Sequence, residues 1–159
     1  MAAKSTQVAI IGSGPAGLML AHLLHLSGIE CIVLERQTRS HVEGRIRAGV
    51  LEHGTVETLR DAGVADRLDR EGLVHDGFDL SFEGDRHRIG LKALTDKSVT
   101  VYGQTEITRD LIEARLAVGG EIVFEASDVM PVDVSSPRPT VRYTHKGRSF
   151  EMTCDFVAG

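Results

Sequence analysis

Short apolar runs alternate with helix-forming stretches along the first 35 residues. Val8-Ala9-Ile10-Ile11 is a continuous apolar run with β-branched residues that stops at a glycine. That pattern predicts a strand covered on both faces, as in parallel sheets. Pro15 suits the first turn of a helix, where its missing N–H costs nothing. Ala16 to Leu26 are good helix formers, and Gly28 is placed to stop them. Cys31 to Leu34 repeats the buried-strand pattern. Strand, glycine turn, helix and strand make a βαβ unit with an expected right-handed crossover.

Beyond Glu35 the pattern is polar to about Glu43 and predicts no element. Val56 to Ala62 reads as a helix ended by Gly63. Leu73 to Phe82 and His87 to Leu91 read as strands joined through Glu83-Gly84-Asp85, and Val99 to Tyr102 as another short strand. Thr105 or Thr108 is expected to cap a helix running to about Val118, with Gly119-Gly120 ending it. Glu121 to Phe124 resembles a sheet strand. Val129–Val134, Thr140–Thr144 and Ser149–Cys154 predict a small antiparallel meander, after which Asp155 to Ala158 returns to the parallel sheet. The expected fold is α/β and Rossmann-like, a parallel sheet with an antiparallel β meander. No repeat or long linker interrupts it, so residues 1–159 are expected to form one nucleotide-binding domain.

The turn between the first strand and first helix reads Gly12-Ser13-Gly14-Pro15-Ala16-Gly17, a G-x-G-x-x-G pattern. Its place after a strand and before a helix gives the pattern weight. Gly12 permits the tight turn, Gly14 lets the backbone approach a pyrophosphate, and Gly17 allows close helix–strand packing. The helix N-terminus offers free N–H groups and partial positive charge to phosphates. Glu35 ends the second strand, where an acidic residue accepts hydrogen bonds from a ribose. Together these predict a bound dinucleotide. NAD and FAD proteins share the fingerprint, and from these residues alone both remain open.

Composition removes other classes. With five Phe, two Tyr and no Trp, the chain lacks rings for a base-stacking platform. A net charge of -5 supplies no basic field for nucleic acid. Cys31 and Cys154 sit in apolar runs outside any C-x-x-C pair and read as reduced core thiols. His22 and His25 share a helix face, but no third ligand is evident and no metal is expected. There is no Gly-x-Ser-x-Gly nucleophile elbow. Arg60-Asp61 and Arg67 to Glu71 read as solvated helix surface. No signal peptide or membrane span is recognisable, so a cytoplasmic location is expected.

More specific segments follow. Leu34-Glu35-Arg36-Gln37, Gly44-Arg45-Ile46-Arg47-Ala48-Gly49-Val50-Leu51-Glu52, Gly72-Leu73-Val74-His75 and Val101-Tyr102-Gly103-Gln104-Thr105-Glu106-Ile107-Thr108-Arg109-Asp110-Leu111 closely resemble the 4-hydroxybenzoate 3-monooxygenase family of flavin aromatic hydroxylases. The resemblance runs from Val8 to Gly159. It implies FAD as cofactor, with Gly12, Gly14, Ala16 and Gly17 against the pyrophosphate and Glu35 on the adenosine ribose. It further implies that Arg45, Ile46, Arg47, Ala48, Gly49 and Val50 line the flavin and that Gln104 touches the cofactor. Arg36 and Gln37, with Arg47, match positions that help recognise NADPH. The family often has Ser where this chain has Ala16, which leaves the backbone N–H to serve the phosphate. It commonly has Tyr where this chain has His41, which leaves NADPH against NADH open.

The reaction implied is hydroxylation of 4-hydroxybenzoate to 3,4-dihydroxybenzoate with NAD(P)H and O2. A small aromatic acid is the expected substrate, and a homodimer the expected assembly of a full-length protein. No nucleic-acid or membrane partner is expected. A chain that stops on a core strand is expected to be truncated, with little or no turnover on its own. A dehydrogenase domain using NAD(P), and a non-catalytic nucleotide-binding module, are the alternatives.

Overall fold

The computed structural model describes residues 4–159. The chain opens with β1 (Lys4–Ser5), β2 (Val8–Ile11), α1 (Pro15–Leu26), β3 (Cys31–Leu34) and α2 (Arg39–Gly44). Next come β4 (Val50–Glu52), α3 (His53–Asp61), α4 (Asp66–Glu71), β5 (Leu73–His75), β6 (Phe78–Phe82), β7 (Asp85–Ile89), α5 (Leu91–Thr95) and β8 (Val99–Val101). The last stretch holds α6 (Gln104–Ala117), β9 (Glu121–Val123), β10 (Ser127–Val132), β11 (Thr140–His145), β12 (Arg148–Thr153) and β13 (Phe156–Ala158). These pack as two compact units, one formed by residues up to Arg45 with Thr108–Gly159, the other by Ile46–Ile107.

The first unit is built on a parallel sheet of order β13-β2-β3-β9. Side chains alternate across it, as the two-residue period of a strand requires. Val8, Ile10, Cys31 and Val33 join Ala21 of α1 in one buried cluster, flanked by Leu20, Leu24 and Ile29. Ala9, Ile32 and Leu34 point the other way and pack with Val123, Val141, Tyr143, Met152 and Cys154. That second cluster fills the space under an antiparallel sheet, β12-β11-β10, which β1 extends in parallel at Lys4↔Met152. Covering both faces explains why β2 and β3 are apolar at successive positions. Each large aliphatic side chain buried there contributes about 1.5–3 kcal/mol. Cys31 and Cys154 are buried free thiols.

Helices α1, α3 and α6 end alike. The residue after the cap is a glycine at φ +70° to +72°, Gly28, Gly63 or Gly119. Behind α1, Gly28 N–H donates to His25 O at 2.9 Å and Ile29 N–H to Leu24 O at 2.9 Å. The left-handed backbone closes the last turn, and glycine adopts it without a Cβ penalty.

In the second unit, β8 lies between β4 and β5, antiparallel to both. Val56, Leu59, Ala62, Ala65 and Leu68 from α3 and α4 and their connection are buried. Strands β6 and β7 form a separate hairpin through Glu83 at φ 54° and Gly84 at φ 89°, the twisted two-residue turn that matches strand twist.

Four expectations differ. The run from Leu73 to Phe82 is two strands, because β5 pairs with β8 while β6 pairs with β7. The break falls at Asp76-Gly77, where a Cβ on Gly77 would lie 2.1 Å from Ile89 O. The polar stretch after Glu35 holds α2, whose first turn is capped by Thr38 Oγ1 accepting from His41 N–H at 3.2 Å. Helix α6 starts at Gln104, with Gly103 O accepting from Ile107 N–H at 3.2 Å, so Thr105 and Thr108 lie inside the helix. Arg67 is only part-exposed. It pairs with Glu71 at 3.0 Å and with Glu106, and its guanidinium stands 5.9 Å from the Tyr102 ring centre. Arg60 does stay on the surface, bound to Asp69 and Glu57.

Candidate functional site

The turn from β2 into α1 is set by Gly12, which runs at φ +108° with its N–H donating to Leu34 O at 2.8 Å. Gly17 sits directly against it: a Cβ there would lie 2.2 Å from Gly12 O. No side chain larger than hydrogen fits at Gly17 without moving the turn. Gly14 is different. It has ordinary backbone angles, φ -70° and ψ 171°, and a Cβ built on it meets nothing within 4 Å. Gly14 and Ala16 are both exposed. Leu18 N–H donates to Gly14 O at 3.0 Å, closing the first helical turn. The amides of Ala16 and Gly17 precede that bond and have no carbonyl one turn earlier in the helix. The turn is therefore open at Gly14, with free amides and the positive end of α1 beside the opening.

Glu35 is buried at the tip of β3 and reaches back to this turn. Its Oε2 accepts from Ser13 N–H and from Ser13 Oγ–H, both at 2.9 Å. Its Oε1 accepts from Gln37 N–H at 2.8 Å. The backbone of Glu35 is held by its own N–H on Val123 O at 2.9 Å and by Ala126 N–H on its carbonyl at 2.8 Å. Burial alone would raise its carboxyl pKa. The Ser13 and Gln37 donors and the Arg36 charge outweigh that and hold it below the ordinary carboxylate value. An ionised acceptor is thus kept at the turn.

The other residues singled out from the sequence fall in two places. Arg36 is exposed and Gln37 half-buried just after Glu35, with Gln37 O accepting from Glu125 N–H at 3.1 Å. Arg45 is exposed after α2. Ile46, Arg47, Ala48 and Gly49 form the irregular lead into β4, which begins at Val50, and all but Gly49 are exposed. Within that second unit Gln104 N–H donates to Ala48 O at 3.1 Å and Tyr102 N–H to Gly49 O at 2.8 Å. The segment 48–49 is thus stitched to the start of α6. A Cβ on Gly49 would lie 3.3 Å from Gly103 Cα, so the two glycines let these backbones meet. Ser13, fully buried and bonded to Glu35, was not among the residues singled out. Its signal was faint: a small hydroxyl between two glycines, 22 residues before a lone acid.

Among the described residues no group of His, Cys, Asp and Glu could hold a metal. Nor, among the described residues, is any helix long and apolar enough to cross a membrane.

An open glycine turn at a helix N-terminus, with an ionised acid at the tip of the next strand, fits a nucleoside diphosphate moiety. The amides suit the phosphates and the carboxylate suits a ribose hydroxyl. This βαβ arrangement defines a Rossmann-like dinucleotide-binding domain. The chain belongs to the FAD binding domain family, whose model matches residues 5–159, so the cofactor is FAD. It is 44% identical over 160 residues to p-hydroxybenzoate hydroxylase of Acinetobacter baylyi, taking in 100% of this chain and 39% of that protein. Over 65 residues, 41% of this chain and 12% of the other, it is 40% identical to a probable NADH-specific resorcinol 4-hydroxylase of Rhodococcus jostii. The solved p-nitrophenol 4-monooxygenase of Pseudomonas putida shares the fold, with a TM-score of 0.80 at 18% identity over 97% of this chain and 40% of that one. The chain thus spans less than half the length of these proteins.

Proposed function

We propose that this chain is the FAD-binding part of a flavoprotein monooxygenase that hydroxylates 4-hydroxybenzoate to 3,4-dihydroxybenzoate with NAD(P)H and O2. The observation that carries the proposal is 44% identity along the whole chain to a p-hydroxybenzoate hydroxylase. FAD, when bound, supplies the redox chemistry that takes electrons from NAD(P)H and delivers them to dioxygen. The residues of this chain bind and orient. The amides of Ala16 and Gly17 and the positive end of α1 neutralise the diphosphate. Glu35 accepts from the adenosine ribose. Ala16 offers no hydroxyl, so the backbone alone serves the phosphates at that position.

Arg45 to Val50 and Gln104 are proposed to hold the flavin end. The donor types support this: Arg47 presents a planar fork suited to phosphate or to a polarised ring carbonyl, on the exposed lead into β4. Arg36, exposed, and Gln37, half-buried, are proposed to meet the nicotinamide nucleotide.

The test has two parts. The first is titration of the purified chain with FAD, followed by quenching of flavin fluorescence and by thermal shift, since a ligand bound only to the folded state raises its stability. Saturable binding with a rise in Tm is expected, and a chain that binds NAD(P) but not FAD would point to a dehydrogenase domain instead. The second is turnover in the natural polypeptide that carries this sequence, with substituted phenols compared by NAD(P)H oxidation and product chromatography. The expected best substrate is 4-hydroxybenzoate. Preference for another phenol would overturn the substrate, and FAD binding without oxidation of any phenol would overturn the hydroxylase.

A further inference from the structure

Glu35 and Ser13 form a more specific device than an acid beside a ribose. An ionised carboxylate offers about four lone-pair positions, two on each oxygen. Both positions on Glu35 Oε2 are taken, by Ser13 N–H and by Ser13 Oγ–H at 2.9 Å each. One position on Oε1 is taken by Gln37 N–H at 2.8 Å. A single acceptor position is left, on Oε1. Ser13 is fully buried, so its hydroxyl has no solvent to turn toward. It sits between Gly12 and Gly14, and the conformation that opens the turn therefore also aims this hydroxyl at the carboxylate. Without that hydroxyl one position on Oε2 would be free, and the carboxylate would be held only by the Ser13 and Gln37 backbone N–H groups.

We propose that Ser13 is a positioning residue for FAD: its hydroxyl saturates Glu35 Oε2, locks the carboxylate, and reserves Oε1 for one hydroxyl of the adenosine ribose. This rests on Glu35 being the ribose acceptor. The consequence is a one-point grip, in which the site distinguishes the two ribose hydroxyls. A carboxylate held so is also acceptor-only, so a ribose carrying a 2′-phosphate is repelled and the site takes the AMP half of FAD rather than that of NADP.

The test measures FAD affinity of the whole chain by fluorescence titration for the parent, Ser13→Ala, Glu35→Gln and the double variant. It is repeated with FAD analogues lacking either the 2′- or the 3′-hydroxyl of the adenosine ribose. In the parent, removal of one hydroxyl is expected to weaken binding about tenfold and removal of the other to change little, the scale of one charge-assisted hydrogen bond. Ser13→Ala is expected to weaken FAD binding about tenfold and to erase the distinction between the two analogues. In the Glu35→Gln background the further loss from Ser13→Ala should vanish, because the two residues act as one unit. Urea midpoints of the apo variants report folding separately, and a purely structural role for Ser13 would move those and leave the analogue preference intact. Unchanged FAD affinity and analogue preference in Ser13→Ala would overturn the positioning role. So would an equal loss with Glu35 already replaced. Undiminished FAD binding by Glu35→Gln is a different failure, that of the ribose assignment itself.

Discussion

Replacing Gly14 by alanine separates binding from folding in a way that Gly17 cannot. At Gly14 the backbone angles suit any residue, and an added methyl group meets no atom within 4 Å. The apo chain should fold normally, with a stability change within about 1 kcal/mol and a tendency toward gain, since alanine restricts the unfolded chain more than glycine does. The same methyl group projects into the opening that a diphosphate must enter. Pushing the phosphates off the helix amides forfeits roughly two charge-assisted hydrogen bonds at about 1.5–3 kcal/mol each, or about 3–6 kcal/mol in all. FAD affinity should then fall about 10²- to 10⁴-fold. Gly17→Ala is the control. Its methyl group would lie 2.2 Å from Gly12 O, so the turn or the helix must move, at a cost of about 1–3 kcal/mol. Urea unfolding followed by circular dichroism gives the stabilities, and flavin fluorescence gives the affinities. A stable Gly14→Ala variant that binds FAD like the parent would refute the placement of the diphosphate over this turn.

Three other outcomes are expected. Glu35 is held ionised in the folded state with its pKa lowered, so its contribution to stability is present above the ordinary carboxyl pKa and is lost as pH falls through the lowered one. Urea midpoints taken at stepped acid pH should therefore fall less steeply in Glu35→Gln than in the parent, and parallel curves would contradict this. Burial pushes the Cys31 and Cys154 thiols up, with Arg115 partly offsetting it at Cys31. Both should react slowly with a thiol reagent in the native chain and at the rate of a free thiol in urea; fast native labelling would show that the sheet opens readily. Gly77→Ala should destabilise the hairpin by about 1–3 kcal/mol, because its Cβ would lie 2.1 Å from Ile89 O. Hydrogen exchange across β6 and β7 would show it, and unchanged protection there would argue against the close backbone approach.

The nucleotide-binding half of the fold was legible because its signals are local. A β-branched run, a glycine turn, Pro15 at a helix start and Gly28 at its end each restrict backbone angles over a few residues, so β2, α1 and β3 followed from neighbours in the chain. The same holds for the glycine stops at Gly63 and Gly119 and for the turn at Glu83-Gly84. Pairing across the chain was not legible. Nothing near Gly77 says that Leu73–His75 will pair with Val99–Val101 while Phe78–Phe82 pairs with its own hairpin partner. Nothing near Lys4 says that it lies beside Met152. Helix α2 is too polar to announce itself by periodicity and rests on the Thr38 cap.

The site divides in the same way. Gly12 and Gly17 were readable because the first is demanded by its own backbone and the second by an atom a few residues away. Glu35 was readable as an acid at a strand tip. That it is buried, charged and held by Ser13 depends on two strand ends lying side by side in a parallel sheet, a distance in space that has no counterpart in local residue pattern. Short-range preferences determine which elements form. Only the packed sheet decides which buried donors meet which acceptor, because unpaired polar groups are costly in the interior and find partners wherever the fold brings them.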